Sequence, residues 1–313
     1  MFEIKRYEPS HEQAWNDFVT RSKNGTFLFD RRFMDYHSDR FADSSLMILR
    51  KGHIYALLPA NRVGDTLHSH QGLTYGGLLT DAKATAEGVM EAFGALNAWL
   101  RNEGVRRVTY KAMPWIYHRL PAEEDLYALT QVCHARLLTR EISSTILLQQ
   151  PLRFTESRKS GLRKALREGL YMEESGDLAA FWQMLDDNLA SRHHTHPVHS
   201  LDELRLLQGR FPQQIHLYLI YNKEKEPVGG TWVFDTGQVV HTQYIASTEE
   251  GKAHGALDLL FDELINRRYR EGIYLDFGKS TEEGGRVLNE HLIFQKEGFG
   301  GRGVCYDTYE WEP

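Results

Sequence analysis

Four short stretches of the chain carry residues whose types and spacing suit chemistry. The run Asp276-Phe277-Gly278-Lys279 sets a carboxylate and an ammonium three residues apart, at the polar end of an apolar segment. A carboxylate there can orient an amine, and the lysine can meet a phosphate or a carboxylate. An ordinary surface ion pair is the alternative use. Just upstream, VVHTQYIAS carries His241, a base by type and usual pKa range, and Tyr244, which suits a pocket wall or a core. The densest imidazole group is SRHHTHPVHS, with His193, His194, His196 and His199. Its spacings fit no standard zinc set and no carboxylate–histidine pattern accompanies them, so no metal is expected. The group reads as a polar loop at an acceptor site or as a solvated loop. Finally, HSHQGLTYGGLLTD brackets Leu73-Thr74-Tyr75 with Gly72, Gly76 and Gly77. Glycine permits bulges and close backbone approach. Tyr75, Gly76 and Gly77 are therefore expected to wall a ligand cleft between the two halves of the chain, with His68 and His70 at its mouth. The other reading is a bulge needed only for packing.

Alternation and helical spacing supply the elements that would position these groups. FEIKRY reads as a strand, and Pro9-Ser10 opens a helix with Trp15, Phe18 and Val19 on one face. FDRRFMDYHSDRF reads as an aromatic-rich helix, and SLMILRKGHIYALLPANRV as a hairpin about Lys51-Gly52. A helix is predicted over 84–102, then a strand at RRVTYKAM, a helix at EEDLYALTQVC and a strand at ISSTILLQ. The order then restarts. SRKSGLRKALREGL is a basic helix in which Lys159, Arg163 and Arg167 follow at steps of four, a stripe for a phosphorylated substrate or simply a solvated face. DLAAFWQMLDDNLAS is amphipathic. Three strand patterns follow (IHLYLIYN, EPVGGTWVFD, VVHTQYIAS), then a helix over 255–270, the strand IYLDFGKS and a closing strand VCYDTYEW.

The restart has a local signature. Glu103-Gly104-Val105 aligns with Glu271-Gly272-Ile273, and a lysine follows each glycine by seven residues, Lys111 and Lys279. Either glycine can end a helix in the left-handed conformation. A duplication is inferred, with domains 1–150 and 151–313.

Bulk properties bound the function classes. The 313 residues are 41% hydrophobic and 26% charged, enough for sizeable cores. A formal net charge of -6 gives no general attraction to nucleic acid. Two distant cysteines make neither a disulfide framework nor a zinc motif. MFEIKRYEPS lacks a signal-peptide apolar region, and no run approaches the ~20 apolar residues that span a bilayer. A cytoplasmic location without membrane insertion is the expectation.

The repeated order of strand, two helices, three antiparallel strands, helix and strand resembles the GNAT acyltransferase fold. Two such units resemble the Fem-type (FemAB-like) peptidoglycan-bridge aminoacyltransferases, on LPANRV…HSHQGLTYGGL in the first half and LRKALREGL and YLDFGKS…FQKEGFG in the second. The resemblance implies an α/β (α+β) chain of two tandem GNAT-like units, each a mixed, mainly antiparallel sheet flanked by helices. It implies an N-acyltransferase moving an acyl group from an activated donor to a small-molecule or peptide-like amine. An acyl-CoA co-substrate is preferred, with no tightly bound cofactor. The tRNA-using enzymes often carry a long helical hairpin that this chain lacks, so aminoacyl-tRNA is the second choice. A non-catalytic ligand-binding protein on the same fold is the third. The GNAT pyrophosphate turn corresponds to STEEGKAHGALDLL, where Lys252 and Gly255 take the first two fixed places and Leu257 stands at the last, usually small, place. Lys252, Gly255 and Lys279 are then donor-binding. In the Fem pattern a lysine shortly before Phe-Gly stabilises charge at the acyl centre. Lys296 before Phe299-Gly300 fits, with Gln295 where the pattern has an aromatic residue and Phe294 one step earlier. Lys296, Asp276 and Tyr244, the last as a GNAT-type general acid, are the implied catalytic set. Tyr75, Gly76, Gly77, His70, His193, His194 and His196 are the implied acceptor-cleft residues.

Overall fold

The computed structural model describes residues 1–193 and 196–313, the side chains of 191–193 excepted. It has two compact units. The first comprises Met1–Glu141, Thr281–Val287 and Cys305–Pro313, and the second Ile142–Ser280 and Leu288–Val304.

In the first unit, Phe2–Arg6, Leu46–Arg50, His53–Leu58 and Leu79–Thr80 form an antiparallel sheet. The expected hairpin turns at Lys51 and Gly52, both at positive φ, with Arg50 opposite His53. A second strand set holds Asn61–Val63, Thr66–His68, Arg107–Lys111 and the end of Arg302–Trp311. Helix Ala86–Asn102 starts where the Thr85 hydroxyl accepts the Gly88 amide, an N-cap that satisfies an otherwise unpaired donor. It buries Val89, Phe93, Leu96 and Leu100 against Tyr110 and Trp311, each such side chain contributing about 1.5–3 kcal/mol. The aromatic-rich segment is not one helix. It breaks into turns at Phe27–Phe29 and Asp35–His37 around the single helical turn Arg31–Met34. Its buried side chains (Leu28, Phe29, Arg31, Phe33, Met34, His37) would fall all round a helical wheel, so a straight helix with one apolar face would not bury them.

In the second unit the strand order is the end of Arg136–Leu147, then Tyr274–Lys279, Val239–Ser247, Pro227–Asp235, Ile215–Tyr221, Tyr171–Glu174. All neighbours are antiparallel except Val239–Ser247 with Tyr274–Lys279, which are parallel. Helices Glu156–Glu168, Leu178–His193 and Leu201–Arg210 precede the three-strand meander, and Glu249–His254 and Ala256–Glu263 follow it. Ser200 and Glu203 cap Leu201–Arg210 reciprocally, a capping box legible in the sequence. Phe261, Phe277 and Phe299 stack within 4.8–5.9 Å of one another at the centre of the core.

The paired glycines behave differently. Gly104 takes φ 69° and ends its helix as expected. Gly272 is not at positive φ; its helix ends in the wide turn Leu264–Arg268. Glycine is needed there for space, since a Cβ would stand 3.0 Å from both Leu148 and the Tyr269 carbonyl oxygen. Among the described residues no helix is long and apolar enough to cross a membrane.

Candidate functional site

The parallel pairing in the second unit is short. Val239 lies opposite Tyr274, Val240 opposite Leu275 and His241 opposite Asp276, and there it stops. Beyond that pair the strands diverge. The first also bulges, because Trp232 pairs with Tyr244 and Val233 with Thr242, leaving Gln243 unmatched. A bulge re-aims the strand that carries it. Beside the divergence lies a cavity of about 230 Å³ whose walls include Leu185, Leu189, Ile245, Phe261, Phe277, Leu292 and Lys296. A second cavity of about 300 Å³ shares Lys252, Leu257 and Gln295 with it, and adds Arg158, His291 and Phe294.

Asp276 is fully buried at the point of divergence. Ser143 Oγ and Thr145 Oγ1 donate to its Oδ1 at 2.5 and 2.7 Å. His241 Nδ1 stands 2.9 Å from Oδ2, and the Gly278 amide donates to the same oxygen at 3.3 Å. Burial alone would raise this carboxyl's pKa. The hydrogen bond and charge of His241, with the two hydroxyls, more than offset it and bring the value to about 2. The direct contact with an amine expected of Asp276 is therefore corrected: it has no exposed surface, and its carboxylate holds the His241 ring and the two hydroxyls instead.

Lys296 lies in helix Glu290–Gly298, 5% exposed. Its Nζ donates to the Gly278 carbonyl at 2.8 Å, the Lys279 carbonyl at 3.0 Å and Ser280 Oγ at 2.9 Å. An ammonium has three protons, and these three acceptors match them. All three protons of Lys296 are thus engaged by the protein's own acceptors while its side chain borders the cavity. Burial lowers its pKa to about 8, against the opposing charge of Asp276. The Lys279 side chain is exposed and lines neither cavity; its carbonyl is the part that serves the site.

Tyr244 lines neither cavity. Its hydroxyl is 2.6 Å from His199 Nδ1, its ring stacks on Trp232, and burial pushes its pKa up to about 12. It is a protonated phenol at neutral pH. His199 is buried in a bend and, among the described members of the expected histidine loop, is the one packed on the sheet through Tyr244 and Trp232. His196 is exposed and 2.7 Å from Asp186. His194 and the side chain of His193 lie outside the described residues.

The expected donor turn is folded tightly on its own chain. A Cβ on Gly251 would fall 1.9 Å from the Val228 carbonyl oxygen, and one on Gly255 (φ 77°) would fall 2.4 Å from the Gly161 carbonyl oxygen. Helix Glu156–Glu168 is thus seated on this turn. Arg158 ion-pairs at 3.0 Å with the buried Asp258, whose pKa burial raises to about 6. Lys252 pairs with Glu249 yet still lines both cavities. Lys159 and Arg163 of the basic stripe both pair with Glu156, which offsets one of the stripe's charges.

In the first unit, Tyr75 is 2% exposed, donates to Thr26 Oγ1 at 3.2 Å and packs on Tyr117 at 4.4 Å. A Cβ on Gly76 would fall 1.9 Å from the Ser69 carbonyl oxygen, and one on Gly77 (φ 94°) would fall 3.0 Å from the Tyr110 hydroxyl. These glycines admit the protein's own backbone and side chains. The expectation that Tyr75 faces a ligand is corrected: the ring is core. His70 is also buried, at φ 65°, stacked 5.1 Å from His37. Its pKa falls to about 3, chiefly through burial and then through His37, Arg31 and Lys111.

Sequence reasoning missed Ser143, Thr145, Ser280 and the helix 290–298. Small hydroxyl residues carry no spacing signal of their own. The Asn289 side chain that caps the Leu292 amide was the one local cue to that helix.

Comparison with known proteins agrees with this fold. Residues 155–284 match the Acetyltransferase (GNAT) domain family. The crystal structure of FemX superposes over 99% of this chain and 97% of its own, with TM-score 0.68 and 11% identity. L-PGS from Bacillus licheniformis does so over 97% and 92%, with TM-score 0.61 and 13% identity. A tandem GNAT protein from the clavulanic acid biosynthesis pathway covers 100% and 98%, with TM-score 0.52 and 12% identity. No curated protein sequence matches the chain.

Proposed function

We propose that this chain, which has the Fem-like tandem GNAT fold with an acetyltransferase-type GNAT domain over residues 155–284, is an N-acyltransferase. The observation that carries the reading is the divergence of the parallel strands after His241 and Asp276 beside a cavity bordered by Lys296. Acyl transfer to an amine needs an aligned donor, a route for the amine's proton and a charge near the carbonyl oxygen. Beyond His241 the edge of Val239–Ser247 that no longer ladders with Tyr274–Lys279 offers backbone groups to a donor. Lys296 supplies positive charge in an apolar wall, where low dielectric strengthens its field. His241, held by Asp276, is the base at the last paired position before the divergence and the proposed proton acceptor, although it lines neither cavity.

The donor proposed first is an acyl-CoA, with Lys252 and the outer cavity taking its phosphates, and the acceptor a small or peptide-like amine. One observation favours an aminoacyl-tRNA ester instead: the buried carboxylate of Asp258 sits in the first turn of Ala256–Glu263, where a pyrophosphate would otherwise profit from helix amides. The test is single-turnover acyl transfer to a panel of primary amines, with acyl-CoAs in one arm and charged tRNAs in the other. Product with a thioester donor supports the first reading and product only with tRNA the second. The absence of transfer from either, in protein that binds no donor, overturns the acyltransferase reading.

A further inference from the structure

We propose that Ser143, Thr145 and Gly278 are positioning residues that hold His241 and Lys296 in one rigid frame before substrate arrives. The proposal rests on the acyltransferase reading and deepens it. The frame is needed because the ladder between Val239–Ser247 and Tyr274–Lys279 ends at His241 and Asp276. Past that pair the two strands no longer keep each other in register. The strand on the other side takes over. Thr145 lies opposite Asp276 and Ser143 opposite Lys279, so two steps on Arg136–Leu147 span three on Tyr274–Lys279. The extra residue makes a bulge in which Gly278 takes φ 75°. Ser143 and Thr145 share a face by their spacing of two, and both hydroxyls donate to Oδ1 of Asp276. The bulge serves the other oxygen: the Gly278 amide and His241 Nδ1 meet Oδ2. Each carboxylate oxygen thus has two donors, which fills its acceptor capacity. The same glycine reaches Lys296, since its carbonyl accepts Nζ at 2.8 Å. It also leaves the imidazole edge uncrowded, because a Cβ at 278 would stand 3.3 Å from His241 Cε1 and 3.9 Å from Nε2. A carboxylate held on both oxygens from three strands cannot turn without breaking bonds, so the ring it holds cannot turn either. Asp276 is ionised and only accepts. In the neutral ring the proton therefore sits on Nδ1, and Nε2 is the basic nitrogen. Burial alone would be met by apolar residues at 143 and 145. Two hydroxyls aimed at one oxygen add orientation, which a proton acceptor needs in advance of the reaction.

Nuclear magnetic resonance of the full chain, isotope-labelled at histidine, tests this without a substrate. The Nδ1–H of His241, assigned by its absence in His241→Gln, should be shifted downfield and protected from exchange with water. Ser143→Ala combined with Thr145→Val should speed that exchange about tenfold or more, the scale of a lost hydrogen bond to a charged group. Ser143→Thr keeps the hydroxyl and should keep the protection. Gly278→Ala should move the same resonance, because its methyl group meets the ring edge. In acyl transfer the double variant should lower kcat about tenfold or more with KM little changed. A folded double variant with wild-type protection overturns the proposal and leaves the acyltransferase reading intact. Lost protection with unchanged kcat does the same. If the double variant does not fold, Ser143→Ala against Ser143→Thr makes the same comparison. A protected Nδ1–H in wild type that transfers acyl from no donor overturns the acyltransferase reading, and the frame's part in the reaction with it.

Discussion

The two units contain the same local device with opposite outcomes. In the first, Thr66–His68 pairs in parallel with Arg107–Lys111 over three residues, from Thr66 and Arg107 to His68 and Thr109, and the strands then part. In the second, Val239 to His241 pairs with Tyr274 to Asp276 and parts in the same way. Each parting is followed by a lysine that donates to backbone carbonyls. Lys111 Nζ reaches those of Gln71 and Leu73 at 2.9 and 3.0 Å, and Lys296 Nζ reaches those of Gly278 and Lys279. In the first unit the loop after His68 returns into the gap. Ser69 Oγ accepts the Lys111 amide at 2.7 Å, the Gly76 amide donates to the Lys111 carbonyl at 3.2 Å, and Tyr75 is driven into the core. In the second unit the chain leaves through Thr248 into a helix and the gap stays hollow. A filled divergence is a structural joint, and an empty one beside a buried charge is a place for a ligand. The difference supports the second unit as the donor-binding one.

Opening the filled side is the harshest test. Tyr75→Ala should cost about 3–5 kcal/mol, as for other large aromatic core truncations, measured by denaturant unfolding, and should leave donor affinity in the surviving folded protein unchanged. A loss of donor binding out of proportion to stability would show that the first unit also holds donor. On the hollow side, Lys296→Met should lower kcat by about 10²–10³, or roughly 3–4 kcal/mol, with a smaller change in KM. It also removes three hydrogen bonds, so the melting temperature must be measured beside turnover; a folded variant with normal kcat would make Lys296 purely a strut like Lys111.

The filled loop also carries a titration. His70 is held neutral, with a native pKa of about 3 against an unfolded value of 6.5. Both states are neutral above 6.5, so His70 imposes no penalty there. Below 6.5 the unfolded chain takes up a proton that the native loop refuses, and stability is lost progressively down to the native pKa. At pH 4.5 the loss should be on the order of 2–3 kcal/mol. Asparagine tolerates the left-handed backbone at this position. His70→Asn should therefore flatten the acid limb of a plot of melting temperature against pH, whatever it does to stability at pH 8. An unchanged acid limb would place the sensitivity elsewhere. The smallest effect expected is from partly filling the hollow. Leu257→Trp, at the junction of the two cavities, should raise KM for the donor about tenfold with kcat and the melting temperature little changed.

Much of the framework was legible locally. Strand alternation, the Lys51-Gly52 turn, the helix over 86–102 and the three-strand meander follow from side-chain period and turn residues, which act over a few positions. The duplicated order of elements was legible for the same reason, although its glycine match was half misleading: Gly104 serves a left-handed cap and Gly272 a close approach. Lys296 could be singled out by its neighbours in FQKEGFG, but not its place in a buried helix, because an exposed and a buried lysine have the same local sequence.

What the sequence determined by itself was most of the strands and helices, the repeated order of those elements, and which residues are capable of acid–base or electrostatic work. Tertiary structure alone decided which of those capable residues meet an empty space. Asp276 became a fully enclosed acceptor because Ser143 and Thr145 arrive from a strand more than 130 positions away in sequence, and Tyr75 became core because Thr26 and Tyr117 close over it. Burial and cavity shape are sums over such distant neighbours. Period and spacing report only on near ones, so no local pattern can distinguish the divergence that is filled from the one left hollow.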